Sequence, residues 1–186
     1  MPPRDLPAQI LDAAGELLVA HGFRKLRMQD VAERVGVSRQ TVYNEFGDKT
    51  GLAQALVLRE TNRLLDGIDA ALSAHDDTEA AVAAAVAFVL GEGSDSPLVK
   101  AALTGDGSVE FLPLLTTRGE PVFAAAMDRL ATYARRHWPH HSAADIDLAA
   151  EVAVRLTVSH LMLPLDPVDR AAAKVARAVT ALLRRA

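Results

Sequence analysis

The chain has 186 residues, half of them hydrophobic and 4% aromatic, with 20 basic against 24 acidic side chains for a formal net charge of −4. It has no cysteine, which excludes disulfides, thiolate catalysis and cysteine-ligated zinc. The dominance of Ala, Val and Leu favours packed helices over a β-sandwich, and the length suits a small lobe plus a larger one. No signal-peptide pattern opens the chain, and no apolar run reaches about 18 residues without a charge or a His, so a soluble, cytoplasmic protein without a membrane partner is expected.

The first five residues, with two prolines, read as a loose arm. A helix follows from Leu6 to His21, with Pro7 in its first turn, where a missing N–H costs nothing. Ile10, Ala14, Leu17, Leu18 and His21 are its expected inward face, and Gly22 closes it. Met28, Val31, Ala32 and Val35 then follow the i, i+3, i+4, i+7 spacing of a short amphipathic helix. Gly36 ends that helix, as a residue able to adopt the left-handed conformation. Ser38 is an N-cap between Val37 and Val42, the two halves of a hydrophobic staple, so a second helix begins at Arg39. Val42 and Phe46 face inward on it. Arg39, Gln40, Thr41 and Asn44 stay outside with donors and acceptors free, which makes the stretch a helix-turn-helix with a polar reading face.

The motif also carries a family resemblance. The run VYNEFGDKTGL, with Tyr43, Phe46, Lys49 and Leu52, preceded by DVAERVGVS, resembles the signature of the tetracycline-repressor (TetR) family of bacterial transcription regulators. The likeness covers roughly Ile10 to Leu56. It departs at Arg27, where such proteins usually have a Thr capping the first helix of the motif; an arginine there can reach a phosphate instead. By resemblance, Gln29, Arg39, Gln40 and Thr41 face DNA, while Tyr43 and Lys49 contact phosphate. Ser38 and Asn44 complete the expected surface. These residue types suit the roles, since Arg and Gln bond base edges while Tyr hydroxyls and Lys ammonium groups bond phosphate oxygens. The net charge does not oppose this reading, because residues 24–39 hold five bases against two acids and the acidic excess lies beyond residue 60.

Downstream, Asp48 is placed to cap a long helix that starts at Lys49 and continues to about Ala74, with Gly67 as a possible bend. Thr78 to Leu90 is an alanine-rich helix and Gly91 to Ser96 a loop. A short helix from Pro97 is expected to stop at the glycines at 105 and 107. Pro121 opens a helix to about Trp138. Ser142 and Asp145, a weakened capping box, open another to about Leu163. Asp166 and Pro167 cap the last, which ends near Arg184. The whole is an all-α protein of about nine helices, divided as a DNA-binding domain at 1–50 and an effector-binding and dimerisation domain at 51–186.

The last two helices carry small and apolar residues that form either an intrachain core or a dimer interface, and pattern alone does not choose between them. The resemblance to a dimeric family implies the interface, with Ile146, Ala149, Ala153, Leu156, Leu161, Val168, Ala172, Val175, Val179 and Leu182 as its residues. The family also implies a homodimer that sets two reading helices in successive major grooves of a palindromic operator, about 34–36 Å apart, and is released by a small-molecule effector. An apolar lobe suits a lipophilic effector, with Phe88, Phe111, Phe123, Met127 and His160 as candidate lining. His137, His140 and His141 lack a carboxylate in helical register and read as a solvated turn, so no metal and no cofactor are expected. No HExxH, phosphate loop, GxSxG or GxGxxG occurs, which argues against an enzyme. Two other classes stay open at this point: an architectural DNA-binding protein without an effector, and a helical ligand-binding protein or enzyme that does not bind DNA.

Overall fold

A computed structural model describes residues 5–96, 100, 113 and 118–184. Among them the chain forms eight α-helices and one short 3-10 turn, with no strand. The helices are α1 (Leu6–His21), α2 (Met28–Val35), α3 (Arg39–Phe46), α4 (Lys49–Ser73), α5 (Thr78–Asp95), α6 (Glu120–His137), α7 (Ala143–Met162) and α8 (Val168–Leu183). The 3-10 turn (Phe23–Lys25) lies between α1 and α2. None of the described helices is long and apolar enough to cross a membrane. The chain divides into two compact units, Met1–Glu60 with Ser96–Arg118, and Thr61–Asp95 with Gly119–Ala186.

The first unit is built on large side chains from α1, α2, α3 and the start of α4. Ile10, Leu18, Val31, Val42, Leu52 and Leu56 are fully buried, with Phe23, Leu26 and Met28 beside them. Leu17 is only half-buried and His21 is exposed, so the inward face of α1 is narrower than its spacing suggests and runs through Ala13 instead. Arg59 of α4 ties α1 down from outside, donating to the Asp12 carboxylate at 2.7 Å and to the Leu11 carbonyl at 3.1 Å.

In the second unit the core is small-grained. Val82, Val86 and Leu90 of α5 pack with Ala131 and Ala134 of α6, Ile146, Ala149, Ala150 and Ala153 of α7, and Ala171, Ala172, Val175, Ala176 and Val179 of α8. A second cluster joins Leu65, Ile68 and Leu72 of α4 to Ala81 and Ala85 of α5. Ion pairs lie at the rims. Arg129 bridges Asp66 and Asp69, Arg135 pairs with Asp147, and Arg184 meets Glu79 at 3.1 Å. The Asp69 hydrogen bond, with Asp66 beside it, holds the Arg129 guanidinium above its ordinary pKa against the opposing effect of burial.

Three points along the helices bear on the expectations above. First, α5 does not stop at Leu90; it continues through Gly91 and Gly93 to Asp95. Two glycines cost a helix about 1 kcal/mol each relative to alanine. Tertiary packing helps offset this, because Gly93 is buried with the Leu161 side chain close against it: a Cβ there would stand 2.9 Å from the leucine's end and push it aside. Second, α4 runs unbroken through Gly67, which serves as a notch: a Cβ there would lie 2.2 Å from the Phe88 ring. Third, Asp166 does not cap α8. Pro167 occupies the N-cap without a side-chain bond, while Asp166 pairs with Lys174 at 2.5 Å and Arg170 at 3.9 Å. The helix expected from Pro97 lies outside the described residues.

Candidate nucleic-acid interface

The turn between α2 and α3 is closed entirely by local chemistry. Gly36 adopts φ 78° and ψ 30°, and its N–H bonds the Glu33 carbonyl at 3.2 Å and the Ala32 carbonyl at 2.9 Å, while the Val37 N–H reaches Ala32 at 3.0 Å. This is the paired closure of a Schellman motif, and it satisfies carbonyls that α2 would otherwise leave orphaned. Two residues on, the Ser38 hydroxyl accepts the Thr41 N–H at 3.1 Å, and the two hydroxyls lie 2.8 Å apart. The cap starts α3 and fixes its direction, with Val42 as its fully buried anchor. Arg27 occupies the N-cap of α2 without a capping bond; its side chain is left exposed beside a helix N-terminus, where an anion is favoured.

At the end of α3, Gly47 takes φ 74°. Asp48 caps α4 by accepting the Gly51 N–H at 2.8 Å. Gly51 is a determinant that sequence reasoning passed over. A Cβ there would stand 2.1 Å from the backbone carbonyl oxygen of Phe46, a contact that no side-chain rotation relieves. The signal was present as the glycine in the helix-opening run DKTGL. Lys49, at the start of α4, donates to the Arg24 carbonyl at 3.3 Å and lies over the Phe23 ring at 4.3 Å. Its ammonium is thereby held beside the basic 3-10 turn.

The polar face of α3 is organised differently from expectation. Arg39, Gln40 and Asn44 are exposed and Thr41 and Tyr43 half-buried, but their polar groups are not free. Arg39 donates to the Tyr43 hydroxyl at 2.9 Å, with its guanidinium 5.0 Å from the ring centre. Gln40 donates to the Asn44 side-chain carbonyl at 2.9 Å. On α2, Gln29 donates to Glu33 at 2.7 Å. Residues one helical turn apart are neighbours on a surface, so long polar side chains without a ligand bond one another. Such exposed pairs stabilise by only about 0.2–0.5 kcal/mol, which leaves them available for exchange with a stronger partner.

The geometry is that of a helix-turn-helix with a solvent-facing second helix, and the comparisons with known proteins decide its kinship. The family model for the tetracycline-repressor family of bacterial regulatory proteins matches residues 10–56, and the model for a tetracycline-repressor C-terminal domain matches residues 77–181. The chain belongs to the tetracycline-repressor family. It is a transcriptional regulator with an N-terminal helix-turn-helix and a C-terminal helical domain. The transcriptional regulator AlkX of Mycobacterium tuberculosis is 35% identical over 178 residues, covering 95% of this chain and 84% of that protein. The transcriptional activator FasR of Mycolicibacterium smegmatis is 35% identical over 85 residues, 45% of this chain and 39% of its own length. Among solved structures, the repressor AlkX of a Dietzia species, implicated in biodegradation of n-alkanes, superposes with a TM-score of 0.83 at 27% identity, covering 100% of this chain and 98% of that one.

The other candidate residues, Phe111 excepted, fall in the second unit. Phe88 is packed against the α4–α5 cluster with its ring in the Gly67 notch, and Arg155 stands over the half-buried Phe123 ring at 5.7 Å. Met127 and His160 are half-buried, and Phe111 lies outside the described residues. A cleft between the start of α5 and α8, lined by Asp77, Glu79, Ala83, Ala176 and Arg184, includes none of these candidates. Of the ten residues assigned to a dimer interface, Ile146, Ala149, Ala153, Ala172, Val175 and Val179 are buried within the chain's own core, because α5 and α6 already cover them. Leu156 and Val168 are exposed, and Leu161 and Leu182 half-buried. His137 stacks on Tyr133, and no cluster able to hold a metal occurs among the described residues.

Proposed function

We propose that the protein represses transcription as a homodimer that occupies a palindromic operator and leaves it when a lipophilic small molecule binds the C-terminal domain. In this reading residues 1–50 bind DNA and residues 51–186 bind effector and partner. The observation that carries it is the Schellman turn and Ser38 cap, which hold a second helix whose exposed row consists of side chains suited to DNA. Gln40, aided by Arg39, Thr41 and Gln29, reads base edges. Tyr43, Lys49 and Arg27 hold phosphate, and Asn44 lies beside Gln40.

The dimer reading moves to side chains that the intrachain core leaves exposed. Leu148 and Leu156 lie eight residues apart on α7, and Leu163, Leu165 and Val168 follow at the α7–α8 junction, all solvent-facing in the single chain. Exposed large apolar groups on α7, on α8 and in the junction between them suit a self-complementary contact. The effector reading draws on the implication of the Dietzia relative in n-alkane biodegradation and on the half-buried Phe88, Phe123, Met127 and His160. Linkage sets the condition: a ligand releases DNA only if it binds the released state better, and DNA then weakens ligand binding by the same factor.

The test is a reporter placed behind a duplex selected by the protein from a random library, with long-chain alkanes and fatty acyl compounds added as probes. Repression relieved by such a compound supports the reading. Activation of the reporter, the role named for FasR, would reverse its sign. A compound that raises the melting temperature but leaves operator affinity unchanged would remove the switch.

A further inference from the structure

The Gln40–Asn44 pair limits what Gln40 can read. A free glutamine amide offers two N–H donors and an acceptor oxygen. With one Nε2 proton donated to the Asn44 carbonyl at 2.9 Å, Gln40 retains one N–H and its Oε1. We infer that Asn44 is a positioning residue that biases the Gln40 amide toward a one-donor, one-acceptor reader, so the base it favours in the major groove is adenine. The inference rests on the DNA-binding reading above.

The chemistry of the base edges makes the choice. Adenine presents an N7 acceptor beside an N6 donor, which complements one N–H and one C=O. Guanine presents two acceptors, N7 and O6, and needs the second donor that Asn44 has taken. Position favours this assignment, because Gln40 is the second residue of α3 and the N-terminal residues of a recognition helix are those that meet base edges. Asn44, one turn further along, keeps both of its Nδ2 protons. It can therefore hold Gln40 while its own amide bonds a neighbouring phosphate or water.

The test uses the full-length protein with duplexes selected from a random library, followed by competition against base-substituted versions of the selected site. The wild type should select a palindrome with an A·T pair at one symmetric position. Gln40→Ala should lose that preference and bind the selected site roughly ten- to a hundredfold more weakly. Asn44→Ala should soften the preference at the same pair by about twofold, the bias that an exposed amide pair one turn apart supports. Asn44→Asp keeps an acceptor oxygen in place, so it should weaken all duplexes alike while retaining the preference for adenine. Both Asn44 variants alter an exposed position and should melt with the wild type. A G·C pair at the Gln40-dependent position would overturn the inference, as would an Asn44→Ala effect at a different pair or no effect on preference. If the wild type enriches no sequence and binds no duplex, the DNA-binding reading itself fails, which is a distinguishable result.

Discussion

The helix-turn-helix region and the α5–α8 bundle reach stability by opposite means. In the first, each junction is closed by a named local bond: the Gly36 N–H on Ala32 and Glu33, the Ser38 hydroxyl on Thr41, and the Asp48 carboxylate on Gly51. In the second, Ala149, Ala150, Ala153, Ala171, Ala172 and Ala176 let helices approach closely, and ion pairs close the rims. Local closure leaves the outward face of α3 without a packing role, so its side chains can be chosen for a ligand. Close packing in the bundle leaves little room for added volume or charge on the inward faces, whereas positions such as Leu156 lie where the core does not cover them.

The largest expected effect is at the one place where the first region has no slack. Gly51→Ala sets a methyl against the Phe46 carbonyl and should destabilise by roughly 3 kcal/mol or more, since backbone must move, whereas Gly67→Ala meets only the Phe88 ring and should cost about 1–3 kcal/mol. Thermal melts of the two variants would sharpen the contrast. Equal losses would mean that the carbonyl contact relaxes as easily as a ring.

In the bundle the comparison separates core from interface. Val175 is 1% exposed, so Val175→Asp should unfold the second unit, at a cost of several kcal/mol for an unpaired buried charge. Leu156 is 36% exposed in the single chain. Leu156→Asp should therefore melt within about 1 kcal/mol of wild type yet sediment as a monomer. A Leu156→Asp protein that stays dimeric at micromolar concentration would remove this surface from the interface.

Smaller effects follow from caps and charges. Ser38→Ala should cost about 1 kcal/mol, read by denaturant titration, and should also weaken DNA binding because α3 loses its fixed start. Asp166 behaves as a pH probe of the α7–α8 junction. The Lys174 hydrogen bond, with Arg170 and His160 adding favourable charge, holds its pKa below the ordinary carboxylate value despite an opposing effect of desolvation. A depressed folded pKa means stability that is present above the unfolded value and is lost as pH falls through the folded one. Asp166→Asn should therefore melt slightly below wild type at neutral pH, flatten the acid side of the melting profile below about pH 4, and converge with wild type at low pH.

These contrasts also explain what was legible in the amino-acid order. Helix ends in the first region were readable because Gly36, Ser38 and Asp48 act on groups within four residues of themselves. The end of α5 was not, because Gly91 and Gly93 are helix-breaking by local rule, yet the helix runs through both and Gly93 is buried against Leu161 of α7. Asp166 looked like a cap by position, but its partners Lys174 and Arg170 lie along α8. The alanine faces of α7 and α8 announced close packing without naming the partner, and the partner for most of them proved to be the chain's own bundle. At the candidate interface the residue types were legible, while the pairing of Arg39 with Tyr43 and of Gln40 with Asn44 required the helix geometry.

The central claim is that α3 reads sequence through Gln40 while Tyr43 and Lys49 only hold phosphate, and one set of affinities tests it directly. Wild type, Lys49→Ala, Tyr43→Phe and Gln40→Ala would each be titrated against the selected operator and a scrambled duplex over a range of salt concentrations. Lys49→Ala and Tyr43→Phe should weaken both duplexes by similar factors, and Lys49→Ala should reduce the salt slope by about one phosphate contact. Gln40→Ala should cost roughly 1–3 kcal/mol on the operator alone and leave the slope unchanged. Equal loss on operator and scrambled duplex for Gln40→Ala would contradict the claim.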